Sequence, residues 1–167
     1  MAVVTVKSQQ ITDRDASPRV PVNGRISGGS VKRAVAAVTI TSGNSAGSIY
    51  IACSVPSNAV VSSVKVTSPD IGTTTTADVG VYQTTQNSNT VVDANFFATA
   101  LSLKDGAITK SEVAFQSGVY TLANGENPLW EALGLTADSL RDYDIALTLV
   151  GAADAGGVVL VEVEYTV

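Results

Sequence analysis

Asp142-Tyr143-Asp144-Ile145-Ala146-Leu147-Thr148-Leu149 and, a short link later, Val158-Val159-Leu160-Val161-Glu162-Val163-Glu164-Tyr165-Thr166-Val167 decide the fold class. Tyr143, Ile145, Leu147 and Leu149 fall on one face of an extended chain, as do Val159, Val161, Val163, Tyr165 and Val167. Alternation with period two marks a strand that keeps one face in a core. Asp142 and Asp144 share the other face of the first strand, and Glu162, Glu164 and Thr166 that of the second, so these acids are expected on the solvated side. The link Gly151-Ala152-Ala153-Asp154-Ala155-Gly156-Gly157 reads as the turn of a hairpin between the two strands.

Upstream, the same alternation recurs. Ala34, Ala36, Val38 and Ile40 share a face within 34–41, and Ile49, Ile51 and Cys53 within 48–53. A Val55-Pro56-Ser57-Asn58 turn precedes 59–67, where Val60, Val64 and Val66 alternate, and 77–83 carries Val79 and Val81. Two short helices are expected to interrupt the strands. Asn127-Pro128-Leu129-Trp130-Glu131-Ala132-Leu133-Gly134 has Asn, Pro and Gly at the cap, first-turn and closing positions. Thr90–Leu103 offers Thr90 and Asp93 in capping-box spacing. Residues 104–122 look irregular, with a strand around Glu112–Phe115. Seven or eight strands about one core predict an all-β protein: a single β-sandwich of jelly-roll type over residues 31–167.

Residues 1–30 read differently. After a strand-like Val3–Lys7, two prolines and an Asn-Gly pair keep 14–24 extended, and Ser27-Gly28-Gly29-Ser30 forms a joint. Residues 1–33 hold six bases (Lys7, Arg14, Arg19, Arg25, Lys32, Arg33) against two acids, a net +4. The remaining chain holds four bases against thirteen acids, a net −9. A basic N-terminal arm thus precedes an acidic body, and arm residues Arg14, Arg19, Arg25, Lys32 and Arg33 become candidate interface residues. Trp130, an aromatic on a short helix, is a sixth, since Trp is enriched where interfaces are anchored.

The chemistry the chain lacks is equally informative. It has no histidine and one cysteine, Cys53, in 167 residues. That removes the commonest general base and the thiolate and imidazole cages of zinc, so no catalytic residue, metal or cofactor is expected. Cys53 reads as a small buried hydrophobe. Paired acids such as Asp142 and Asp144 could in principle serve glycoside hydrolysis or calcium, but on an amphipathic strand they are its wet side. Asp154 alone in a Gly-rich loop is not a metal site. A net charge of −5 repels polyanions, so no nucleic-acid partner is expected, and no run of 18 apolar residues suggests a membrane span. The start of the chain lacks the basic and apolar regions of a signal peptide, which argues against export and against the alternative of a surface adhesin or fimbrial subunit.

Ser48-Ile49-Tyr50-Ile51, Val55-Pro56-Ser57-Asn58-Ala59-Val60-Val61-Ser62-Ser63-Val64, Ala77-Asp78-Val79-Gly80-Val81-Tyr82-Gln83-Thr84 and Val91-Val92-Asp93-Ala94-Asn95-Phe96-Phe97-Ala98 together resemble a family of tailed-bacteriophage virion proteins. The family's strand before the Val-Pro-Ser-Asn turn is more aromatic and basic than Ile51–Ser54, and no contact residue is carried over. The resemblance implies a small head decoration or cement protein, made in the host cytoplasm and placed on the capsid exterior. The partners implied are the phage major capsid protein or other virion subunits and further copies of the chain, with a trimer favoured. A neck, collar or tail component is the alternative within that class.

Overall fold

The computed structural model describes residues 4–167; Val3, the first residue of the strand expected at 3–7, lies outside them, and Val4–Lys7 forms no strand. Eight strands follow one another from residue 31: β1 (Val31–Ile40), β2 (Ile49–Pro56), β3 (Val60–Ser68), β4 (Thr76–Gln83), β5 (Val91–Ser102), β6 (Ile108–Glu112), β7 (Asp142–Leu149) and β8 (Gly157–Thr166). Among the described residues two short α-helices accompany them, α1 (Gln9–Asp15) and α2 (Leu129–Ala132), with 3-10 turns at Thr85–Asn87 and Leu122–Asn124. The fold is the expected β-sandwich.

The strands form two four-stranded antiparallel sheets, ordered β1-β8-β3-β6 and β2-β7-β4-β5. Four antiparallel pairs, β1·β8, β2·β7, β3·β6 and β4·β5, nest inside one another. This is one long hairpin, folded at β4–β5 and rolled up: the jelly roll. Every connection except β4–β5 therefore crosses from one sheet to the other. Between the sheets lie Val64, Val66, Val79, Val81, Ile145, Leu147, Val159, Val161 and Val163, all fully buried.

Three sequence readings are corrected here. First, β7 and β8 are not a hairpin: they occupy the middle of opposite sheets, and residues 150–156 arch across the end of the sandwich. An alternating strand buries the same face whether its neighbour in sequence pairs beside it or packs opposite. Second, Thr90–Leu103 is strand β5, not a helix. Its twelve residues face seven of β4, and the surplus is taken up in three register shifts that send both Phe96 and Phe97 into the core. Asp93, expected in a capping box, instead accepts the Asn95 N–H at 3.1 Å. Gly80 is required beneath this bulge, because a Cβ there would lie 2.2 Å from the Asp93 carbonyl oxygen. Third, the expected strand at 112–115 lies earlier, at β6, and the chain turns inward at Val113 and Ala114.

The long β6–β7 connection, 113–141, is fastened by an aromatic cluster. Tyr120 stacks on Phe115 at 5.2 Å between ring centres and meets Phe96 and Phe97 edgewise or tilted. Its hydroxyl donates to the Val61 carbonyl at 2.7 Å. The loops at 41–48, 69–75, 103–107 and 150–156 gather at one end of the sandwich. There the Asp154 carboxylate accepts the Thr73 N–H at 2.8 Å and the Thr73 hydroxyl at 2.7 Å, which ties 150–156 to 69–75. These donors, the Thr73 amide first, hold the Asp154 carboxyl well below the usual carboxylate range. Asp154 is a loop clamp.

Candidate interaction surfaces

The arm, the 113–141 connection and the end of β8 meet at the opposite end. The arm contains a helix that the sequence reading did not expect. In α1, Ser8 caps the first turn by accepting the Ile11 N–H, and Arg14 and Lys7 both reach Asp15, at 2.9 and 2.8 Å. The Arg14 and Lys7 hydrogen bonds hold Asp15 below the usual carboxylate range. None of the seven residues of α1 is buried. Isolated helices this short are marginal in water, because the cost of nucleation is spread over too few hydrogen bonds. The arm returns to the body at Arg25, whose carbonyl accepts the Thr166 hydroxyl at 2.9 Å.

The five basic candidates do not form one positive face. Arg14 is paired within the arm, Arg19 and Lys32 are exposed, and Arg25 is half-buried at the junction. Arg33, on the outer face of β1, lies 2.5 Å from Glu162. The Glu162 side chain, expected in solvent, is only 6% exposed, and this is a fourth correction. β8 is an interior strand, so side chains from both neighbours lie over it: Arg33 from β1, and Lys65 from β3, which reaches Glu164 at 3.4 Å. The guanidinium holds the Glu162 carboxyl below the usual range against the opposing effect of burial.

Trp130 is half-buried in α2, and its position has a clear cause. The β2–β3 turn caps this helix: Ala59 and Ser57 carbonyls accept the Leu129 and Trp130 N–H groups at 2.8 and 2.9 Å. Helix ends need such partners for their free donors. Leu129 is thereby buried and Trp130 left on the rim. Beside it, buried Ser57 donates to Asp138 at 2.5 Å, and Asp138 also accepts the Leu140 N–H at 2.9 Å. These bonds, that of Ser57 first, hold Asp138 below the usual range. They also hold Leu140 at φ 51°, which a leucine seldom adopts, with its side chain 86% exposed. Leu140 and Asp138, with Pro56 and Ser57, line a depression of about 180 Å³. Sequence reasoning missed Leu140, although an isolated leucine out of phase with Tyr143 and Ile145, in a polar run, was the available signal.

The fold is similar to that of a solved phage protein. A chain of the cyanophage Pam1 capsid asymmetric unit superposes with a TM-score of 0.53 over 89% of this chain and 93% of that one, at 19% identity. At that identity the likeness is one of fold. No family model matches the chain, and no curated protein does. The shared fold covers the jelly roll and not merely one sheet, since the alignment leaves out only a tenth or so of either chain. No residue of the Pam1 chain is carried across to the arm or to the rim around Trp130 and Leu140.

Cys53 faces inward on β2, and burial pushes its thiol up to about 12. That is the chemistry of a packed side chain, since a nucleophile needs the opposite shift. β2 shifts register between Ile51 and Cys53, and this bulge turns Cys53 inward while Ile49 and Ile51 remain on the outside.

Proposed function

We propose that this chain is a structural subunit of a phage particle, a decoration or cement protein that binds the capsid exterior and stabilises the head. The observation that carries the reading is an eight-stranded jelly roll, similar over nine-tenths of its length to a chain of a cyanophage capsid asymmetric unit, with an unburied arm attached. Jelly rolls serve many roles, so the fold supports the class and the arm supports the use. An arm none of whose described residues is buried leaves most of its surface available for a neighbour. In this reading the body is the rigid platform, the arm makes the intersubunit contacts, and the protein works as a homo-oligomer, a trimer by preference. It performs no catalysis, and its partners are the major capsid protein or other virion subunits, without nucleic acid or membrane.

The test is reconstitution. Purified protein is added to phage heads stripped of accessory proteins, and sedimentation and electron microscopy record binding. Saturable coating of the heads, lost on deletion of residues 1–30 while the melting temperature of the body is kept, is the expected result. Attachment at the neck or tail alone would move the protein to the alternative within the same class. Absence of binding to any particle would overturn the reading.

A further inference from the structure

Edge strands present a row of unpaired backbone donors and acceptors, and folded proteins usually interrupt, charge or cover such rows. Three of the four edges here are interrupted. β2 shifts register between Ile51 and Cys53, β5 shifts three times against β4, and β6 is five residues long with Lys110 at φ 46°. β1 differs. It pairs with β8 over ten consecutive residues without a shift, and its other edge has no backbone partner among the described residues. From Ala34 to Ile40 this edge carries neither charge nor proline. On its outer face, Ala37 lies beside Leu160 of β8 as an apolar patch, flanked by Val35 opposite Glu162 and by Thr39 opposite Val158.

The chain itself holds a segment suited to cover that edge. Val4-Thr5-Val6-Lys7 alternates as a strand does, has no strand partner, and leaves Val4 and Val6 74% and 86% exposed. We propose that β1 receives residues 4–7 of a second copy as an added strand. Backbone hydrogen bonds would supply the pairing, and Val4 and Val6 would pack beside Val35 and Ala37. The second copy, not the same chain, is the source, because no residue of 4–15 is buried on its own body and Val4–Lys7 are all exposed. Residues 1–30 hold four bases against two acids, a net +2, which also suits a neighbouring body, 31–167, of net −7. Exchange of arms around a closed ring would hold every copy twice, once as donor and once as acceptor. The inference rests on the self-association proposed above and is tested without any capsid, so its failure leaves particle binding standing.

The test is a disulfide trap. In a Cys53→Ala background, a Val6→Cys chain is co-expressed with an Ala37→Cys chain, so that a bond between these positions can form only between copies. Mild oxidation followed by peptide mapping should give the 6–37 bond in about tenfold excess over the 20–37 bond from a Val20→Cys control, an excess that corresponds to a single decade in contact equilibrium. Equal yields from positions 6 and 20 would overturn the proposal. So would a chain carrying both Val6→Cys and Ala37→Cys that closes the bond within a monomer. A second variant, Val4→Pro/Val6→Pro, removes two backbone donors from a segment outside the body. It should leave the melting temperature of the monomer unchanged and weaken self-association in sedimentation by about tenfold. Unchanged self-association would overturn the proposal as well.

Discussion

Replacing Tyr120 by phenylalanine removes one oxygen atom from the interior, and the structure sets what that costs. The hydroxyl donates to the Val61 carbonyl at 2.7 Å, and both residues are 1% exposed. β3 shifts register against β8 between Val61 and Ser63, so the ladder is broken where Tyr120 supplies a donor. The variant leaves that carbonyl buried beside a ring edge with no replacement donor, a penalty of about 1–3 kcal/mol. For a chain of this size each kcal/mol lowers the melting temperature by roughly 2–4 °C, so Tyr120→Phe should melt about 2–12 °C lower. The aromatic stack with Phe96, Phe97 and Phe115 survives in the variant. Near-ultraviolet circular dichroism should therefore keep its shape below the transition. Tyr120→Ala loses the ring as well and should cost about 3–5 kcal/mol. Thermal melts and urea titration measure both. A Tyr120→Phe melt within about 1 °C of the parent would refute the reasoning, because it would mean that the bond to Val61 contributes nothing or that water replaces it.

Gly80→Ala should destabilise by about 1–3 kcal/mol or more, since its Cβ meets the Asp93 and Ala94 backbone of β5, and urea titration checks it. Burial pushes Tyr120 and Cys53 each up to about 12, above their ordinary values of 10.0 and 9.0. Their contribution to stability is therefore complete below pH 9 and should be lost as pH rises toward about 12, where the native groups also ionise. Denaturant melts between pH 8 and 12 measure that loss, and Cys53→Ala should flatten its first part. Glu162 is shifted the other way: Arg33 lowers its folded value, so its contribution is present at neutral pH and is lost as pH falls through that lowered value. Glu162→Gln should remove that component of the acid transition in pH-dependent melts, with a smaller effect at high salt.

The strand character of β1, β3, β4, β7 and β8 was legible in the sequence, because a one-sided strand must alternate and Val, Ile and Thr suit it. The absence of histidine and the basic arm before an acidic body were equally legible, since composition and charge need no coordinates. Residues 127–134 were readable as a helix from Asn, Pro and Gly, although only Leu129–Ala132 is α-helical and the β2–β3 turn, not Asn127, supplies its cap. Partnership was not legible. Alternation names the face a strand buries and says nothing about which sheet it joins, so β7 and β8 looked like a hairpin until the nested pairing put them in opposite sheets. β5 could not be read as a strand because its bulges break the period, and bulges arise from what β4 and Gly80 require across the sheet. The burial of Glu162 depends on two neighbours, β1 and β3, that lie about a hundred or more residues away in sequence. The display of Leu140 depends on a bond between Asp138 and Ser57, 81 residues apart. Local periodicity is a property of a few residues at a time, whereas register, sheet membership and the cover over a polar group are decided only when distant strands meet.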